Sequence, residues 1–205
     1  EGLNLQKTDD KIDLSSIVGM RISKRFLISL NTGFKTQFID GFTYPNDSVA
    51  VSKFMAPGYL NLALGTDYIK DANFSVFGSP FAAKTTFVVN DSLSNLGAFG
   101  VDKGEHVRHE FGAFIKVKWN SKIMKNIDLK SKLELFSNYL RNPENIDING
   151  EIAFVFRVNS LFSATAQWNL VYDDDIQIRD KNGNLGPRTQ FKSVLGIGIS
   201  YKLEN

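Results

Sequence analysis

Residues 59–69 read YLNLALGTDYI, and this stretch decides the fold class because its side chains alternate in character. Leu60, Leu62 and Leu64 fall on one face. Asn61 and Asp67 fall on the other. Alternation at every second residue is the signature of a β-strand with two different faces. The stretch therefore predicts a strand with one oily face and one small, polar face.

Seven further segments show the same alternation, and residues 74–88 form a ninth predicted strand. In residues 110–119, for example, Phe111 and Ile115 oppose Lys116. The predicted strands cover residues 13–22, 26–38, 59–69, 74–88, 110–119, 129–139, 147–158, 162–173 and 192–203. Only the segment 74–88 is difficult to phase, because Pro80 lies in its middle. We predict an all-β protein with one domain over residues 1–205 and nine antiparallel strands in this chain.

The polar faces favour a transmembrane β-barrel over a soluble β protein. A soluble sandwich carries flexible Lys, Glu and Thr toward water, whereas a membrane barrel lines its lumen with Gly, Ser, Asn and paired charges. Glycine leaves room for long charged side chains, and it recurs on the polar faces at Gly19, Gly33, Gly65, Gly112, Gly196 and Gly198. A soluble sandwich or a lipocalin-like barrel stays open as the alternative.

The connections between the predicted strands alternate in length. Short links lie at 23–25, 70–73, 120–126 and 159–161, connections of over fifteen residues follow Phe38, Val88 and Asp173, and a middling one spans 140–145. Outer-membrane barrels have short periplasmic turns and longer external loops. We therefore expect a periplasmic carboxyl terminus. Because bacterial barrels have an even number of strands, we also expect one or more amino-terminal strands to be missing from this chain.

The composition argues against several classes of function. The 205 residues include 24 Lys+Arg and 22 Asp+Glu, for a formal net charge of +2, with no Cys and two His. A chain without Cys has no disulfide, thiolate nucleophile or Cys-ligated metal site, and interleaved charges argue against a nucleic-acid partner. His106 and His109 fall on opposite faces of a strand, which disfavours shared metal coordination. We expect no enzymatic activity and no catalytic residues.

Charged residues on the polar faces are predicted to line the lumen. Cations and carboxylates occur there together, so they can neutralise one another and plug the lumen, or leave a narrow water path. The predicted lumen-lining residues are Arg21, Lys35, Asp67, Glu110, Lys116, Lys118, Lys130, Lys132, Glu134, Asp147, Glu151 and Arg157. The sequence leaves open whether these residues form a structural salt-bridge network or a selective channel.

Large aromatic residues on the apolar faces are predicted to form the two interfacial girdles of a membrane barrel. They are placed at strand ends, which disfavours carbohydrate stacking as the alternative. The residues are Tyr68, Trp119, Tyr139, Trp168, Tyr172 and Tyr201.

An acidic connection suggests a weak cation site. Asp173, Asp174 and Asp175 open the segment 173–184, which also contains Asp180. Hard cations such as Ca²⁺ take about six to eight oxygen ligands. The segment lacks the spacing and the distal Glu of a calcium loop. A structural Ca²⁺ at this loop is the single cofactor hypothesis, and a solvated hairpin tip is its alternative.

Several motifs resemble a known family. They are KTDDKIDL at 7–14, KTQF at 35–38, APGYL at 56–60, LSNLGAFGVD at 93–102, FSNY at 136–139, NPENID at 142–147 and YDDDI at 172–176. Across essentially the whole chain they resemble a Bacteroidota outer-membrane family of unknown function, DUF3078. The resemblance implies about 10–12 strands in the complete protein and carries no known activity.

We therefore expect an integral outer-membrane barrel with a structural or accessory role, or a scaffold for an envelope complex. The expected partners are outer-membrane lipid and other outer-membrane proteins, which would contact the loops 39–58 and 90–104. A small-solute pore and a soluble periplasmic lipid-binding barrel are the alternatives.

Overall fold

The computed structural model describes residues 10–43, 45–180 and 183–199. Nine long strands form one antiparallel sheet in which neighbours along the chain are neighbours in space. They are β1 (Ile12–Arg21), β2 (Phe26–Thr36), β3 (Gly58–Ile69), β4 (Phe74–Phe87), β5 (Val107–Met124), β6 (Ile127–Asn138), β7 (Ile146–Arg157), β8 (Phe162–Tyr172) and β9 (Gln190–Ile199). The predicted all-β class and the nine antiparallel strands are confirmed.

The first and last strands are the edges of this sheet. In the part of the chain that the structure describes, β1 pairs with β2 alone and β9 pairs with β8 alone. Among the described residues, the nine strands therefore form an open sheet with β1 and β9 at its edges. The end of the predicted last strand, residues 200–203, lies outside the described residues.

The sheet is strongly curled around a polar concave face. Adjacent strands lie about 4.8 Å apart, so β4 and β7 would be about 14 Å apart in a flat sheet. Lys84 of β4 nevertheless donates a hydrogen bond of 3.0 Å to Asp147 of β7. Lys116 of β5 likewise donates one of 3.0 Å to Asn31 of β2. The charged faces of strands that are not neighbours therefore meet across an interior.

The convex face is apolar and exposed. Leu64 is 49% exposed, Ile115 45% and Ile152 48%, although each lies well inside its strand. On the concave face, in contrast, Glu110 is 3% exposed and Ser29 1%. The alternation in the sequence thus places polar side chains inside and large apolar side chains outside.

Strand β5 ends later than the sequence predicted, and β4 contains a bulge. The link predicted at 120–126 is shorter, because β5 continues to Met124 and Asn120 still pairs with Lys130 of β6. The polar residues that suggested a turn are the end of a long hairpin. In β4, Pro80 lies at a bulge where the pairing with both neighbouring strands shifts, as expected for a residue without an N–H donor.

The glycines on the polar face do not all make room for charged side chains. A Cβ atom at Gly65 would overlap the carbonyl oxygen of Gly78, and one at Gly112 would overlap that of Ser137. Gly33 and Gly196 have nothing within 4 Å of such an atom. Gly65 and Gly112 therefore serve the close approach of neighbouring backbones in a curled sheet.

The long connections lie together at one end of the sheet, here called the loop end, and the short turns lie at the other, the turn end. Two connections contain small ribbons, Gly41–Thr43 with Asn46–Ser52 and Gln177–Arg179 with Leu185–Pro187. The connection 88–106 contains α1 (Asp91–Asn95), which Asn90 caps by accepting a hydrogen bond from the Leu93 N–H at 3.1 Å. No helix among residues 10–43, 45–180 and 183–199 has the length and apolar character to cross a membrane.

Candidate functional site

The concave face carries a dense ion-pair network at the loop end. The ammonium nitrogen of Lys84 lies 3.0 Å from Asp147, 3.1 Å from Asp173 and 3.7 Å from Glu110. The side chain of Glu110 is 1% exposed and that of Lys84 is 17% exposed. One buried cation therefore joins carboxylates from β5, β7 and the residue that follows β8.

Arg108 extends this network toward the loops. Its guanidinium lies 3.0 Å from Glu110 and 3.4 Å from Asp175. Asp175 also lies 4.0 Å from Arg141 in the connection after β6. We call Lys84, Arg108, Glu110, Asp147, Asp173 and Asp175 the loop-end network. Its four carboxylates outnumber its two cations, and its ion pairs connect β4, β5, β7 and the residues after β8 across the interior.

An aromatic layer lies below this network. Phe77, Phe114 and Phe136 pack on the concave face around Ala63 and Ala82, with the rings of Phe77 and Phe114 6.1 Å apart. The Lys84 ammonium lies 5.5 Å from the centre of the Phe136 ring. Phe77 and Phe136 are almost fully buried, so this layer is the apolar core of the concave face.

Lys116 lies on the other side of the aromatic layer. Its ammonium is 5.5 Å from the centre of the Phe77 ring and donates to the side-chain oxygen of Asn31. Asn31 donates in turn to the hydroxyl of Ser29 at 3.1 Å, and Ser29 donates to Asp67. This chain of hydrogen bonds links β5, β2 and β3 through neutral groups.

Two further lysines lie beside Lys116. Lys118 of β5 is directly opposite Lys132 of β6 in the strand register. Lys132 lies 3.7 Å from Glu134, whose carboxylate also accepts a hydrogen bond of 3.0 Å from Asn149. We call Lys116, Lys118 and Lys132 the lysine cluster. Within the described residues, neither Lys116 nor Lys118 forms an ion pair with a carboxylate.

A cavity of about 590 Å³ runs along the concave face. Its lining includes Lys84, Asp147 and Asp173 of the loop-end network. It also includes all three residues of the lysine cluster. A second cavity, of about 320 Å³, lies between Arg108, Glu110 and the loops. The interior is thus large enough to hold a small polar solute beside the aromatic layer.

The predicted lumen residues divide into two groups. The larger cavity is lined by Lys35, Lys116, Lys118, Lys132, Glu134 and Asp147, and Glu110 borders the smaller one. Four more lie elsewhere on the same faces: Asp67 beside Ser29, Arg21 donating to the Lys24 carbonyl, and Lys130 and Glu151 outside both cavity linings. Arg157 pairs with Asp128 near the turn end.

The four aspartates of the cation hypothesis do not converge. Asp173 pairs with Lys84, and Asp175 lies beside Arg108. Asp174 accepts a hydrogen bond from Tyr172 at 3.1 Å, and Asp180 lies 2.8 Å from Arg188. In the described ranges no group of three or more His, Asp or Glu side chains is placed to hold a metal ion. Calcium binding here stays a prediction that requires these carboxylates to change partners.

The aromatic residues predicted for the girdles lie mainly at strand ends. Tyr68 packs on Phe26 near the turn end with ring centres 5.2 Å apart, and Tyr139 packs on Phe111 near the loop end. Trp119 is half exposed at the turn end, and Tyr172 ends β8. Trp168 differs, because it lies near the middle of β8 against Phe154. Tyr201 lies outside the described residues.

The two histidines are separate, as the strand geometry requires. His109 shares a hydrogen bond of 3.1 Å with the hydroxyl of Thr85. His106 contacts the Val88 carbonyl at 2.8 Å and lies 3.4 Å from Asp91. Each ring therefore has local partners in the strand pair or the loop.

The sequence analysis missed the two central cations of the loop-end network. Lys84 lies in the segment that Pro80 made difficult to phase, and Arg108 precedes the predicted start of its strand. Counting by two from Glu110 back to Arg108 gives the correct face. For Lys84 the count has to restart after the bulge at Pro80.

The comparisons with known proteins agree with the motif-based resemblance. The profile of a family described as a protein of unknown function (DUF3078) matches residues 1–42. No curated protein and no solved structure matches the chain. The match covers the first 42 of the 205 residues and supports the family resemblance there, and function has to be argued from the geometry.

Proposed function

We propose a function for this protein from the distribution of its polar and apolar side chains, since the profile that matches residues 1–42 describes a family of unknown function. The protein is an integral outer-membrane β-barrel of a Bacteroidota bacterium. Its role is structural or accessory, as a scaffold for an envelope complex.

The supporting observation is the inverted arrangement of the two faces. Large apolar side chains such as Leu64 and Ile152 are exposed in mid-strand on the convex face. Charged side chains such as Lys84 and Glu110 are enclosed on the concave face. A soluble lipid-binding barrel needs an apolar concave face and a polar convex one, the reverse of this arrangement. A lipid-facing convex surface accounts for both faces.

The lengths of the connections between strands support the same proposal. The connections at the loop end are long and contain their own ribbons and helix, whereas the turn between β5 and β6 is two residues, 125–126. In an outer-membrane barrel the short turns are periplasmic and the long connections are external. This orientation would place the carboxyl end of β9 on the periplasmic side.

The loop end supports a role in contacts with other proteins. The connections 37–57 and 88–106 pack on each other through Ala56, Val88 and Leu93. Phe38 stays 70% exposed and Phe54 54% exposed beside them. Exposed aromatic side chains on ordered loops are typical of protein contacts. Other outer-membrane proteins are therefore the proposed partners of these loops.

A small-solute pore is the second candidate, and the cavity of about 590 Å³ favours it. The loop-end network lies across this cavity, so passage of a solute would require Lys84 and its carboxylate partners to move. Their mutual pairing therefore favours the structural role over an open pore.

Carbonate extraction of bacterial envelopes containing the full-length protein tests the membrane assignment. We expect the protein to stay with the membrane in carbonate and to leave it in mild detergent. Native electrophoresis and mass spectrometry of the detergent fraction then test for envelope partners. Release by carbonate alone would overturn the membrane assignment, and a single species without partners would overturn the scaffold role.

A charge on the convex face gives a second test. Leu64→Arg would place a cation in lipid near mid-strand and lower the free energy of unfolding by about 2–4 kcal/mol. Leu96→Arg, at a 72% exposed loop position, is the control and should change stability by less than about 0.5 kcal/mol. Denaturant unfolding of the protein in lipid vesicles measures both. Equal, small effects would contradict a lipid-facing Leu64.

A further inference from the structure

The lysine cluster contains two ammonium groups, those of Lys116 and Lys118, that form no ion pair within the described residues. Lys118 and Lys132 are directly opposite on neighbouring antiparallel strands, which places their Cβ atoms about 5 Å apart. Lys116 lies two residues from Lys118 on the same face, a separation of about 7 Å between Cα atoms. Directly opposed like charges destabilise a strand pair unless a counter-charge lies between them.

The carboxylates near the cluster do not supply that counter-charge. Glu134 is directly opposite Lys116 in the register, but its carboxylate contacts Lys132 and Asn149. Glu151 lies opposite Lys132 in the register but does not form an ion pair with it in the described chain. Asp67 meets the cluster through Ser29 and Asn31. Among residues 10–43, 45–180 and 183–199, two of the three ammonium groups therefore form no ion pair with a carboxylate.

The surroundings of the cluster suit a small anion. All three lysines line the cavity, so a solute in it can contact them together. The rings of Phe77 and Phe114 flank Lys116, and low-dielectric walls of this kind strengthen the field that an anion meets. Lysine rings and clusters are the usual lining of anion and phosphate pathways.

We propose that Lys116, Lys118 and Lys132 bind a small oxyanion of the phosphate class in the interior of the protein. The ligand lies among the three ammonium groups and screens the Lys118–Lys132 repulsion. The inference rests on the polar interior of the proposed function, and it does not require insertion in a membrane. Because the cluster is on the concave face, the anion is a free solute instead of a lipid headgroup.

Binding of inorganic phosphate to the folded full-length protein in neutral detergent tests this proposal. Isothermal calorimetry should show saturable binding, and Lys118→Gln and Lys132→Gln should each weaken it about tenfold or more. Lys130→Gln is the matched control, because Lys130 lies on the same strand and face as Lys132 but outside the cavity lining. It should leave the affinity within about twofold.

Three results would overturn the proposal. One is the absence of saturable phosphate binding to protein whose folding is verified by its β-sheet circular dichroism. Another is an equal loss of affinity in Lys130→Gln, which would indicate general charge attraction. The third is binding to mixed micelles of phosphatidic acid without binding to free phosphate, which would assign the lysines to a lipid. Retention of the protein by membranes in carbonate is measured separately, so failure of anion binding leaves the membrane assignment intact.

Discussion

The two halves of the concave face, the loop-end network and the lysine cluster, differ in how their charged side chains are paired. At the loop end, Lys84 contacts three carboxylates and Arg108 contacts two. Beyond the aromatic layer, Lys116 contacts an amide and two ring faces, and Lys118 is opposite Lys132. Each cation of the loop-end network is ion-paired, whereas Lys116 and Lys118 form no ion pair within the described residues.

This difference indicates different tasks. A buried ion pair that crosses the interior holds particular strands together, and removing one partner is costly because the other stays buried and charged. A cluster of like charges reduces stability and is useful when a ligand supplies the missing charge. The loop-end network is therefore the structural half of the interior, and the lysine cluster is the half suited to binding.

The largest expected effect comes from removing the centre of the loop-end network. Lys84→Met leaves Glu110, Asp147 and Asp173 close together without their shared cation. We expect the free energy of unfolding to fall by about 3–5 kcal/mol, measured by denaturant unfolding in detergent or lipid.

Lys35→Met is the matched control for this change. Lys35 lies on the same face near the loop end, but its side chain is 35% exposed, and within the described part of the chain it pairs with Asp13 alone, at 3.9 Å. Its loss should cost at most about 1 kcal/mol. Similar losses in both variants would mean that the network does not hold the strands together.

The next largest loss of stability is expected at Gly112, where two strands are in close backbone contact near the boundary between the two halves. Gly112 lies on β5 between Glu110 and Lys116, where a Cβ atom would overlap the Ser137 carbonyl. Gly112→Ala should lower the free energy of unfolding by about 1–3 kcal/mol because β6 has to move away.

Gly33→Ala is the control, since nothing lies within 4 Å of a Cβ atom at Gly33. Its stability should be unchanged or rise by up to about 1 kcal/mol, because alanine restricts the unfolded chain. If both variants behave alike in the same unfolding experiment, the tight β5–β6 contact is not needed for the curl of the sheet.

Most residues of the concave face could be predicted from the sequence. Alternation alone placed Glu110, Lys116 and Lys132 on the polar face, because a strand in a two-faced sheet has to repeat every two residues. It also gave the nine strands in their order. Alternation did not place Lys84 on the polar face, because the bulge at Pro80 shifts the register by an amount that periodicity does not specify.

The pairing of the charges was beyond the sequence for a different reason. Lys84 meets Asp147 and Asp173 only because the sheet curls, and these residues lie on strands that are not neighbours of β4. The acidic run 173–175 therefore suggested a cation loop, whereas two of its carboxylates pair with Lys84 and Arg108. Curvature depends on local backbone contacts such as the one at Gly112, which the composition of a strand does not reveal.

The smallest expected effect distinguishes the two halves most directly. The substitution at Lys118 should raise the free energy of unfolding, whereas the one at Lys84 should lower it. Lys118→Glu replaces the like-charge pair with Lys132 by an opposite-charge pair. Without phosphate we expect the free energy of unfolding to rise by up to about 1 kcal/mol. Saturating inorganic phosphate should stabilise the unmutated protein, since it binds the folded state alone, and should leave Lys118→Glu unchanged. The advantage of the variant would then disappear or reverse in a parallel unfolding series with and without phosphate. A loss of stability in Lys118→Glu in both series would show that Lys118 is paired within the protein and that the two halves do not differ.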